Sequence, residues 1–243
     1  MAFTDYAVGL VLLVTLALLG KEPVPEPLDL LWGGLAGVVG VFGLLAFYSA
    51  LSRGKMGMAA PVSAVLTVAL PVLFSAVTAG LPTPLQLGGF VLVGLSIGLS
   101  ACPERTTGPP QGIGLALLSG CGFGCFFILI SRVHPAATFW SLAADRFISI
   151  GVLLVLLRLR RKPLLPGMRV APLVVLAGIL NAIGNTLLVL AAQSGHLDVA
   201  AILSSLYPAA TVGLSALVLR ERVMRIQALG VLLALLAIPL ISA

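Results

Sequence analysis

The sequence predicts an all-α membrane protein of nine transmembrane helices, arranged as two inverted-topology repeats of four and five helices. Three observations carry this. Only 9% of the 243 residues are charged and 60% are hydrophobic, whereas an average soluble domain is about 25% charged, so a soluble fold could not cover its surface. The apolar residues come in long runs, each close to the roughly 20 residues a helix needs to cross hydrocarbon. The chain also repeats itself: subtracting 141 places Ala200-Ala201 on Ala59-Ala60, Ser204 on Ser63, Gln227 on Gln86 and Gly230 on Gly89.

Taken in order, the apolar segments are 3–20, 28–51, 56–79, 84–102, 112–131, 137–157, 170–193, 197–219 and 226–243. The first carries Asp5 and no basic n-region, so it reads as a retained span rather than a signal peptide. The connections are short, and the longer ones (KEPVPEP, CPERTTGPPQ, RLRRKPLLPG) are rich in the Pro and Gly that end helices. Cys102, Cys121 and Cys125 make no disulfide framework or zinc signature. Cys121 and Cys125 are four apart on one helix face, which reads as packing. Gly94-Leu95-Ser96-Ile97-Gly98 matches the serine-hydrolase elbow in letters only. That motif needs a strand-turn-helix setting, and inside an apolar span the glycines read as helix-packing residues.

The repeat extends over most of the chain. Gly37 falls on Gly178, Gly43 on Gly184, Ala50 on Ala191 and Gly54 on Gly195. It divides the chain into 1–103 and 111–243. The first unit then has four helices and the second five, so an initial helix is expected either to have been lost or to lie upstream of Met1. A five-helix unit is odd, so its two copies enter the membrane in opposite senses, as in alternating-access carriers.

The +6 net charge sits in short loops, which marks membrane orientation rather than nucleic-acid binding. Arg53, Lys55, Arg105, Arg158, Arg160, Arg161, Lys162, Arg169, Arg220, Arg222 and Arg225 fall on one side. Lys21 and Arg132 fall on the other, with Arg146 inside a span. The positive-inside rule then puts the N-terminus in the cytoplasm and the C-terminus outside. Trp32 and Trp140 would lie near the outer interface.

The run Ala200-Ala201, Leu206-Tyr207-Pro208, Arg220-Glu221-Arg222, Gln227 and Gly230 resembles the EamA-type carriers of the drug/metabolite transporter superfamily, as does its counterpart Ala59-Ala60-Pro61, Gln86 and Gly89. The chain departs from that pattern in lacking the first of the usual ten helices, and in Thr67 and Gly80 standing opposite Pro208 and Glu221. Members are also described with a cytoplasmic C-terminus, whereas the charge bias here points outward. The resemblance implies an inner-membrane secondary transporter, not an enzyme, that exports a small amino-acid-like or drug-like metabolite. The expected partners are the bilayer, a small-molecule substrate and a second copy of the chain, with no nucleic acid, cofactor or metal. A non-transporting scaffold or a carrier remnant is the alternative.

Several residues could carry chemistry. Pro208 frees a backbone carbonyl at depth, and with Ser204, Ser205 and Tyr207 it makes a polar spot that is either a satisfied kink or a wall of the substrate pathway, matched by Ser63 in the other half. Asn181 and Asn185 share one helix face and could bond between helices or line the pathway with Tyr48. Gln193, at the end of that helix, reads as loop-facing. Asp145 and Arg146 lie about 12 Å into the sixth span at 1.5 Å per residue, and intramembrane ions are functional by default. Sequence neighbours do not face each other on a helix, so each is expected to find another partner, in a shared structural or gating role or, alternatively, in direct substrate or proton coupling. Glu221 between two arginines reads as an interfacial ion cluster, with gating as its functional alternative. His134, His196 and Asp198 read as loop and helix-start residues.

Overall fold

The computed structural model describes residues 2–53, 56–78, 80–100, 112–159, 171–194 and 197–204, together with 226, 229, 230, 232, 233, 236, 237 and 240. Its helices are α1 (Ala2–Leu19), α2 (Pro27–Arg53), α3 (Met56–Thr78), α4 (Pro84–Ser100), α5 (Ile113–Ile130), α6 (Thr138–Leu159), α7 (Ala171–Gln193) and α8 (Leu197–Ser204), with a 3-10 turn at Pro135–Ala137. No strand occurs among the described residues. Among the described residues three helices, Pro27–Ser52, Ile113–Ile130 and Ala171–Gln193, are long and apolar enough to cross a membrane. Most of the residues that would complete the eighth and ninth segments lie outside the described set.

The chain forms two compact units, residues 1–42 with 125–195 and residues 43–124 with 196–243. The division passes through α2 and α5. In the first unit α1 packs on both α6 and α7, and the first half of α2 lies against α6. In the second unit α3 packs on α4 and α8, around a core of Ala64, Val93, Ile97, Ile202 and Ala237. There Ser63 and Ser119 are buried and share a hydroxyl hydrogen bond of 3.0 Å between α3 and α5.

Local chemistry sets the helix ends. α1 stops in a Schellman motif: the amide of Glu22 donates to the Ala17 carbonyl (3.1 Å) and that of Lys21 to Leu18 (3.3 Å). Lys21 takes the left-handed conformation this requires, at φ 50°. α4 opens with a capping box, in which the Thr83 amide donates to Gln86 Oε1 and the Gln86 amide to Thr83 Oγ1. Gln86, half of a repeat-matched pair, therefore has a local structural role. α6 is started from other elements. The Glu22 carboxylate accepts from the amides of Phe139 and Trp140 at 3.1–3.2 Å, an anion at a helix N-terminus. Asp29 accepts from the His134 amide at 2.9 Å, and His134 Nδ1 caps the 3-10 turn by accepting from Ala136.

Close helix contact rests on the repeat-matched Gly37 and Gly178. A Cβ on Gly37 of α2 would collide with the Asp145 carbonyl oxygen, and one on Gly178 of α7 would lie 2.7 Å from the Asp5 carbonyl oxygen. Around Gly94 and Gly98, where the sequence predicted helix packing, nothing lies within 4 Å among the described residues. Cys121 and Cys125 are likewise exposed rather than packed. Gln193 is not loop-facing: its Nε2 donates to Thr138 Oγ1 at 2.8 Å, because α7 ends beside the start of α6.

Gly37→Ala should lower stability by about 1–3 kcal/mol, the usual cost of overpacking, while Gly98→Ala leaves the melting temperature in detergent unchanged or raised. Lys21→Gly should stabilise by about 1 kcal/mol by relieving the left-handed backbone cost, read as a higher thermal midpoint.

Candidate functional site

Charge is concentrated where α1, α6 and α7 meet. α6 contributes Asp145 and Arg146, which are 2% and 3% exposed. Placing charges so deep is possible because small neighbours leave room: Gly9 of α1 brings its Cα beside the Arg146 side chain, and Gly37 admits the α6 backbone. Ser149 Oγ, one turn on from Asp145, donates to the Gly37 carbonyl at 3.2 Å and ties α6 to α2.

Arg146 is held from four directions. Its Nη2 donates to Asn181 Oδ1 on α7 at 3.2 Å, its guanidinium lies 4.6 Å from the centroid of the Tyr6 ring on α1, and its Nε stands 3.7 Å from Asp145 Oδ2. On α1 a Cβ at Gly9 would lie 3.4 Å from its Nε. Asn181 passes the contact on, its Nδ2 donating to Asp5 Oδ2 at 3.1 Å, while Asn185 Nδ2 donates to Asn181 Oδ1 at 3.4 Å. The chain of contacts runs Asp145, Arg146, Asn181, Asp5, from a buried end to a half-buried carboxylate and an exposed amide.

Two atoms in this chain are orphaned. Asp145 Oδ2 and Arg146 Nε have no hydrogen-bond partner among the described residues, since 3.7 Å is beyond hydrogen-bond reach. The expectation that Asp145 and Arg146 each need a partner elsewhere is corrected in part. The flexible Arg side chain reaches back towards its own neighbour, and it also finds Asn181.

The expected pathway residues separate. Asn181 joins the charged cluster through interhelical bonds to Arg146 and Asp5, and Asn185 bonds to Asn181 along the same helix. Ser63 is buried and bonded to Ser119 in the second unit. Tyr48 is 54% exposed, with its ring centroid 6.3 Å from that of Phe47. Ser204 is exposed at the end of the described part of α8. Ser205, Tyr207, Pro208 and Glu221 lie outside the described residues, as does His196. Among the described residues no group of His, Cys, Asp and Glu could hold a metal ion.

Asp5, Tyr6, Glu22, Asp29 and Ser119 were not singled out as functional in sequence. Asp5 carried a usable signal, being an acid inside an apolar span. Glu22 and Asp29 look like ordinary loop acids until α6 is in place.

A protein-family model described as the EamA-like transporter family matches residues 110–243, more than half of the chain. The chain belongs to the EamA-like transporter family. It is a multi-pass membrane protein, consistent with the drug/metabolite transporter superfamily. A solved structure titled only "Crystal structure of protein" is similar at a TM-score of 0.77 and 16% identity, covering 99% of this chain and 86% of that one. At that identity the likeness is one of fold. No curated protein matches the chain.

In this EamA-like chain, removing one member of the buried pair leaves the other charge uncompensated, which typically costs about 3–5 kcal/mol. Arg146→Gln should therefore destabilise strongly. The double change Asp145→Asn with Arg146→Gln should recover a large part of the loss, as a double-mutant cycle on unfolding in detergent would measure.

Proposed function

We propose that this EamA-like chain is a secondary-active carrier that moves a small amino-acid-like or drug-like metabolite by alternating access, in the direction of efflux. The observation that carries the reading is the Asp145–Arg146–Asn181–Asp5 chain, buried at its Asp145–Arg146 end, in the helices of a transporter-family protein. Ionisable groups at such depth are costly to keep and belong to substrate or ion pathways.

The alternating-access part of the reading rests on two inverted repeats, 1–103 and 111–243. At the offset of 141, α1 corresponds to α6 and α2 to α7. The contacts support the correspondence, since α1 packs on α7 as α2 packs on α6, and the matched glycines Gly37 and Gly178 each meet a backbone carbonyl of the partner helix, those of Asp145 and Asp5. The family match itself covers the proposed second repeat.

In this proposal Tyr48, Ser63, Asn181, Asn185, Ser204, Ser205, Tyr207 and Pro208 line or shape the substrate pathway, and Asp145, Arg146 and Glu221 gate or couple it. The protein sits in the inner membrane with a cytoplasmic N-terminus and an outward C-terminus, and a second copy of the chain is a candidate partner.

The test is flux in proteoliposomes against a panel of amino acids and small drugs. Saturable uptake or counterflow of at least one compound is expected, and none for any compound would overturn the carrier reading. For a transported compound, Asn185→Ala and Ser204→Ala should shift KM severalfold, whereas Gly98→Ala should not.

A further inference from the structure

Resting on the carrier reading, we propose that Asp5 is the group that takes up and releases the coupling proton, and that Arg146 is the side chain its charge state moves. The amide of Asn181 lies between the two groups. Its oxygen faces Arg146 Nη2 and its nitrogen faces Asp5 Oδ2, the orientation that an ionised Asp5 demands, because a carboxylate only accepts and a guanidinium only donates. Asn185 adds a second donor to the same oxygen.

A proton bonding to a carboxylate oxygen of Asp5 changes these demands. The neutral acid has an O–H to donate, and an amide turned about its terminal torsion offers it Oδ1. Asn181 Nδ2 then faces Arg146, where two donors meet and no hydrogen bond forms. Arg146 has somewhere to go: Asp145 Oδ2 lies 3.7 Å from its Nε, and both atoms lack a hydrogen-bond partner among the described residues in side chains that are 2% and 3% exposed. A shift of under about 1 Å would bring the pair within hydrogen-bond distance. Loss of the proton from Asp5 as hydronium restores the observed arrangement.

Two positions of one cation, selected by one proton, form the kind of bistable element that conformational switching needs. It bears on helix packing because Arg146 touches α1 through Tyr6 and α7 through Asn181. Asp5 suits the exchange better than Asp145, since it is half-buried where Asp145 is enclosed and set against Arg146. The charged groups acting on Asp5 are Arg146 of α6 and the chain's amino group, with Asn181 of α7 hydrogen-bonded to it. Asp145 stands behind Arg146.

The experiment is infrared difference spectroscopy of the full chain in proteoliposomes across a pH titration, with isotope-labelled aspartate. A protonated-carboxyl C=O band that shifts with the aspartate label, is lost in Asp5→Asn and persists in Asp145→Asn at a changed midpoint is the expected result. A band that survives Asp5→Asn, or that is absent at every pH in Asp145→Asn, overturns the proposal. Should Asp5→Asn fail to fold, Asp5→Glu decides: the band must move to a glutamate label, and a band that stays with aspartate counts against Asp5. The same vesicles separate this proposal from the carrier reading. Saturable metabolite flux that is driven by an imposed pH gradient in the wild type and equally in Asp5→Asn refutes Asp5 alone. A band that follows Asp5 with no flux of any compound supports the proton site and removes the carrier reading.

Discussion

Burial of the Arg146 guanidinium is the constraint on which the first compact unit depends. A cation 3% exposed within apolar helices must be neutralised and bonded by groups at the same depth. Asp145 supplies charge, Asn181 an acceptor, and Tyr6 the negative face of a ring. Those groups come from α1, α6 and α7, so the position of one side chain sets three helices. Burying such a pair is weak evidence of stability for its own sake.

The surroundings are built to hold that cluster. Gly37 and Gly178 let neighbouring backbones approach where a methyl group would collide, the means by which helices associate when no hydrophobic driving force separates protein from lipid. Glu22 and Asp29 anchor the beginning of α6 from the α1–α2 connection and the first turn of α2. Thr138 and Gln193 join the start of α6 to the end of α7. The charged centre is thus placed by polar contacts at the helix ends and by small residues along the helix faces.

Much of this was legible in sequence for identifiable reasons. Helix positions follow from apolar runs interrupted by Pro and Gly, which is why α1 to α7 start and stop within a few residues of the predicted segments. Asp145 and Arg146 stood out because charge is rare in such a composition, and Asn181 and Asn185 because their spacing shares a face. The glycines were harder. Gly94 and Gly98 look like packing residues by spacing, yet meet nothing within 4 Å among the described residues, because spacing says which residues share a face and not what that face meets. The connection of Asp145 to its own neighbour was missed for a related reason: the spacing rule describes Cβ directions, and a long guanidinium chain can turn back on itself.

By itself the sequence determined the class of the protein, its helical segments and the presence of costly ions at depth, because length, hydropathy and charge act locally along the chain. It also carried the resemblance to EamA-type carriers, borne out by the family match. Only the tertiary structure decided that Asp5, 140 positions before Asp145, belongs to the same cluster through Asn181. It likewise decided that Glu22 caps a helix that begins 116 residues later. Contacts between residues so distant in the chain leave no periodic trace in one sequence, since they depend on which faces meet once the helices have packed.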